Sequence, residues 1–137
     1  MRPIKFRAYD TDDKVMRSWR EIDFTKDIGD DYYLVGYKSS AVSTKYDHEQ
    51  IIMQYTGLLD KNGVEIYEGD ILNITQYFGG QPYGGIKYIV KRSKYNNDLV
   101  ADRESEDWRK LEVRMSFRNS DDYEVIGNRY ENPGLLG

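Results

Sequence analysis

The 137-residue sequence contains no cysteine and a single histidine, His48. Without cysteine there is no disulfide framework, no thiolate metal site and no cysteine nucleophile. One histidine excludes a multi-histidine metal cluster within one chain. Long apolar runs are missing as well: residues 1–7 carry charge instead of a signal core, and no stretch approaches a membrane span. These absences point to a soluble cytoplasmic protein with no cofactor, no membrane association and no small-molecule substrate.

What the chain has in quantity is tyrosine, thirteen residues of it, beside twelve glycines. Aromatic and β-branched enrichment argues for strands over helices. A chain of this length buries roughly two thirds of its unfolded surface, enough for a core without staples. The net charge of −4 hides segregation: +3 over residues 1–20, −7 over 21–78, +3 over 79–118 and −3 over 119–137. Solvated faces of mixed sign account for such alternation; a basic binding face is the sharper alternative.

The strongest local signal is Asn62-Gly63, between Leu58-Leu59 and Val64 to Tyr67. Both residues tolerate positive φ, so the pair predicts a hairpin with a primed turn. Glu68-Gly69-Asp70 predicts a second turn into an apolar run. Residues 4–9 alternate as a strand, residues 10–14 read as an Asx turn, and residues 15–19 as the return strand, with Trp19 either in the core, the favoured reading, or an exposed stacking platform. Short strands are expected at 22–24 and 32–37, a small polar connection at 39–44, and a capped helical turn after Asp47. Residues 51–55 lead as a strand into the central hairpin, and 70–78 form another. Residues 79–85, with four glycines, predict a long hairpin loop. Strands follow at 86–91, 99–101, 108–118 and 123–128, and Asn132-Pro133-Gly134 ends regular structure. This pattern predicts a mainly β protein: an N-terminal β-rich subdomain over 1–53 and a small closed or nearly closed barrel over 54–137.

Three blocks carry a family likeness: residues 1–10 (MRPIKFRAYD), 54–72 (QYTGLLDKNGVEIYEGDIL) and 123–133 (YEVIGNRYENP). In this order they resemble the YopX family of small phage and prophage proteins. The resemblance implies that the later domain is an SH3-type barrel and that the protein works inside a bacterial host. It implies no activity and no site residues.

Three functions compete on the residues themselves. A protein-interaction or assembly module, self-associating or binding a host or phage protein, suits the tyrosine content, because the ring buries area while the hydroxyl keeps a hydrogen bond. The alternative is a nucleic-acid-binding barrel using a basic, aromatic face of Tyr83, Lys87, Tyr88, Lys91, Arg92, Tyr95, Arg114 and Arg118. There cations would neutralise phosphates and exposed tyrosines would stack on bases. The third is a carboxylate- and magnesium-dependent hydrolase built on Glu65, Glu68 and Asp70, or on Asp121, Asp122 and Glu124. The turns at 60–63 and 68–70 are better explained structurally, and a calcium loop fails because Val64 and Glu65 stand where a ligand and a glycine belong. The reading is therefore non-enzymatic.

Overall fold

A computed structural model describes residues 4–11, 13–25, 34–37, 40–44, 50–83, 87–93, 98–102, 113–114 and 121–136. The protein is mainly β, and every described strand pair is antiparallel. It divides into two compact units, one of Lys5–Gln54 and one of Tyr55–Gly137 with Met1–Ile4. The ten-residue strand β6 (Gln50–Leu59) passes from the first to the second.

In the first unit, β1 (Phe6–Asp10) pairs with β2 (Val15–Arg17) on one side and with residues 50–54 on the other. The turn between β1 and β2 is the expected Asx turn: the Asp13 amide donates to Asp10 Oδ1 at 3.2 Å. Arg17 then gathers the carboxylates, reaching Asp10 Oδ2 at 3.3 Å and Asp13 Oδ2 at 3.0 Å. Trp19 departs from expectation. It opens a 3-10 turn, Trp19–Glu21, and remains 37% exposed, its ring tilted against Phe6 at 6.0 Å. Ser18 and Glu21 form a capping box that ends the strand before Trp19 can turn inward. β3 (Ile22–Thr25), β4 (Leu34–Tyr37) and β5 (Ser40–Thr44) make a separate sheet. The polar stretch at 40–44 is thus a strand and not a connection, because pairing with β4 supplies what its side chains lack. The expected helical turn after Asp47 lies outside the described residues.

In the second unit the rest of β6 pairs with β7 (Glu65–Tyr67) around the central hairpin. The hairpin forms, but not with a primed turn. The Gly63 amide donates to Asp60 O at 3.0 Å, and Gly63 alone takes positive φ, +80°. That is an ordinary turn followed by a left-handed glycine bulge. The Asp60 carboxylate decides it: Oδ1 accepts from the amides of Asn62 (2.8 Å) and Val64 (2.9 Å). Its Oδ2 accepts from the Val125 amide at 3.0 Å.

The main sheet has the order β13-β12-β11-β8-β14 and curls into a half-barrel. Its strands are β8 (Asp70–Ile74), β11 (Lys87–Arg92), β12 (Leu99–Asp102), β13 (Val113–Arg114) and β14 (Tyr123–Asn128). The described pairings include none that joins β13 to β14. Leu72, Ile74, Tyr88, Val90, Ala101 and Tyr123 meet Leu58 and Ile66 in one core. Between β8 and β11, residues 79–83 of the expected glycine loop are themselves structured. β9 (Gln76–Phe78) and β10 (Gln81–Tyr83) form a two-stranded arm around Gly79-Gly80, both at positive φ. Of the expected strand over 108–118, Val113–Arg114 is described and confirmed as strand.

Candidate functional site

Register decides which members of the basic, tyrosine-bearing band share a face. Along β11, Lys87, Ile89 and Lys91 alternate with Tyr88, Val90 and Arg92. Tyr88 points into the core and is 4% exposed, which removes it as a stacking platform. Lys91 pairs with Val100, which pairs with Arg114, so these three stand in one row. Arg92 belongs to the opposite face. Tyr83 ends β10. Tyr95 and Arg118 lie outside the described residues.

Three cations of this band, Lys87, Lys91 and Arg92, have partners. Lys91 Nζ lies 2.7 Å from Asp102 Oδ2, a carboxylate with no solvent exposure. Arg92 Nε lies 3.9 Å from Glu68 Oε2. Lys87 is exposed, and its Nζ donates to Leu135 O at 3.0 Å. A phosphate would have to replace these partners, most expensively at Lys91, whose carboxylate would stay buried.

The carboxylates considered for catalysis are dispersed. Asp70 is buried with Oδ2 accepting from the Tyr67 amide at 2.8 Å, which holds the turn at Gly69. Glu124 pairs with Lys61 at 2.7 Å. Hydrogen bonding to Glu124, then its charge, raises the Lys61 pKa. Among the described residues no three of His, Cys, Asp and Glu are placed to hold a metal ion. No described helix is long and apolar enough to cross a membrane.

One feature was not legible beforehand. Tyr77 stands 59% exposed on the β9–β10 arm, directly across from the exposed Pro82. Its hydroxyl donates to Asp122 Oδ1 at 2.9 Å. This bond, and next the Asp122 charge, raises the tyrosine pKa. The Thr75 amide donates to Asp122 O at 2.9 Å, so the same aspartate anchors the arm's base. No described lysine or arginine pairs with Asp121 or Asp122. The available signal was the Gly79-Gly80 pair, read as a tight turn that splits the strand expected at 70–78.

The profile of the YopX protein family matches residues 5–137. The chain belongs to the YopX family. Two solved structures share the fold over the full length of both chains. The protein EF1440 from Enterococcus faecalis is 27% identical with a TM-score of 0.58, and the protein yopX from Bacillus subtilis is 21% identical with a TM-score of 0.61. No curated protein matches. The YopX family is of uncharacterised function.

The YopX-like blocks do architectural work here. Asp60 and Gly63 shape the hairpin, while the Gly69 amide donates to Val90 O at 2.7 Å and its carbonyl accepts from the Arg129 amide at 2.9 Å. In the last block Asn128 Oδ1 accepts from the amides of Tyr130 (3.0 Å) and Glu131 (2.8 Å). Asn132 Oδ1 accepts from the Asn128 amide at 3.1 Å. These residues specify loops, which explains why they identify the fold without naming a reaction.

Proposed function

We propose that this YopX-family chain is a non-enzymatic protein-interaction module of phage or prophage type, acting in the cytoplasm of a bacterial host through its β9–β10 arm. The observation that carries the reading is Tyr77: a large aromatic left in solvent, its orientation held by Asp122. A ring fixed before binding loses little rotamer entropy when it is covered. Asp121 and Asp122 favour a partner segment that brings lysine or arginine. The arm itself, residues 76–83, bears no charge.

The non-enzymatic part rests on Asp60 and Asp70 being engaged by backbone amides. The nucleic-acid alternative has less support, since Lys91 and Arg92 face carboxylates and Tyr88 is buried. The strand order of the main sheet, with the last strand returned beside the first, supports the SH3-type reading of this domain.

The test is site-specific photo-crosslinking from position 77 in the full chain expressed in a bacterial host, followed by titration of the captured protein against wild type and Tyr77→Ala. Loss of about tenfold or more in affinity fits removal of a central aromatic anchor. Equal affinity would sink the arm as the contact. Retention on immobilised nucleic acid that falls steeply with salt would instead favour the alternative.

A further inference from the structure

Asn62-Gly63 is the one Asn-Gly pair in the sequence, and both residues are exposed at the hairpin tip. An asparagine followed by glycine is open to attack by the next backbone nitrogen on its own side chain, because no Cβ shields that nitrogen. Nothing lies within 4 Å of where a Gly63 Cβ would sit, so the chain around Gly63 is open to solvent on that side. Two hydrogen bonds oppose its closure. The Gly63 amide donates to Asp60 O at 3.0 Å, and the Asn62 amide to Asp60 Oδ1 at 2.8 Å. The first engages the proton that must leave, and together they hold the backbone on both sides of the reacting carbon.

We propose that Asn62-Gly63 is a latent deamidation site, kept latent by the Asp60 carboxylate holding the turn closed. In the reaction the Gly63 nitrogen gives its proton to a solvent base and attacks Asn62 Cγ, forming the C–N bond of a succinimide. The Cγ–Nδ2 bond breaks, and the side-chain nitrogen takes a proton from solvent and leaves as ammonia. Water then adds to either imide carbonyl, giving aspartate or its β-linked isomer, with no change of oxidation state. The β-linked product lengthens the backbone inside the turn. It thereby disturbs the bond from the Lys61 amide to Tyr123 O, 2.9 Å in the intact hairpin, and loosens β14.

The experiment follows wild type, Asp60→Asn and Asn62→Gln in mildly alkaline buffer, with and without urea, by peptide mapping that separates the isoaspartyl product. The Asn119-Ser120 peptide serves as internal reference. Wild type should deamidate at position 62 at least about tenfold more slowly when native than in urea, in proportion to how seldom the turn opens. Asp60→Asn should move from the native rate towards the urea rate, and Asn62→Gln should give no product. Equal wild-type rates in the two conditions would overturn latency. A folded Asp60→Asn as slow as wild type would overturn the role of Asp60. If that variant does not fold, hydrogen exchange at the wild-type Gly63 amide decides: protection supports the mechanism and free exchange refutes it.

Discussion

Replacing Gly127 by alanine offers the most direct check on the C-terminal turn. Gly127 follows a register shift in β14, where the strand bends and pairs Gly127 with Ile71. A methyl group there would lie 2.6 Å from Asn132 Oδ1, 2.9 Å from Asn132 Cγ and 3.0 Å from Leu135 Cδ1. The leucine methyl can rotate away at small cost. The asparagine cannot, because its Oδ1 accepts from the Asn128 amide, its own amide donates to Asn128 O at 2.9 Å, and its carbonyl accepts from the Leu135 amide at 3.1 Å. Displacing the side chain forfeits one hydrogen bond, about 1 kcal/mol, and leaves crowding worth about 1–3 kcal/mol. The expected loss is therefore about 2–4 kcal/mol, read as a urea midpoint lowered by roughly 1–2 M at unchanged slope. In an Asn132→Ala background the same substitution should cost less than about 1 kcal/mol, since the obstructing atoms are gone. Full stability of Gly127→Ala, or an undiminished cost in that background, would refute the reasoning.

Two further perturbations test the polar contacts. Lys91→Met removes the ammonium partner of the buried Asp102 carboxylate. The partial exposure of Lys91 reduces the expected cost to about 2–3 kcal/mol, and adding Asp102→Asn should recover part of it in a urea-unfolding cycle. The raised pKa of Tyr77 means that the folded state holds this proton more tightly than the unfolded state does. Its stabilising contribution is therefore complete below the unfolded tyrosine value of about 10 and is lost as pH rises through the higher folded value. Tyr77→Phe should accordingly show a shallower alkaline decline in stability, with the missing tyrosinate absorbance change identifying the residue; an unchanged decline would contradict the Asp122 bond.

The sequence exposed local grammar better than distant partnership. The Asx turn at Asp10, the hairpin around Asn62-Gly63 and the turn at Gly69 were readable because each rests on residues a few positions apart. Along β8, Leu72 and Ile74 enter the core while Asn73 between them does not, as the period of a strand requires. On β11 periodicity is no guide, because Ile89 is buried as well as Tyr88 and Val90. A cationic face stood open as the alternative because the diagonal neighbour of Lys91, Asp102, belongs to another strand. Tyr77 was missed for the same reason, its partner lying 45 residues away. The primed turn at Asn62-Gly63 failed because a carboxylate two residues earlier supplied acceptors that favour the other geometry. Ser40–Thr44 became a strand through pairing that its composition does not announce.

The bond from the Val125 amide to Asp60 spans 65 residues, and it has a consequence for how the molecule is made. During synthesis the hairpin tip emerges long before the strand whose edge it covers. Until Tyr123 to Val125 arrive, the Asp60 Oδ2 acceptor has only solvent to serve, and β8 lacks its neighbour on that side. Closure of so wide a loop is the kind of step that slows folding and leaves an unpaired strand exposed meanwhile. The nascent chain is thus most vulnerable to mispairing just before its last strand is delivered, and a C-terminal truncation ahead of Tyr123 would extend that interval indefinitely.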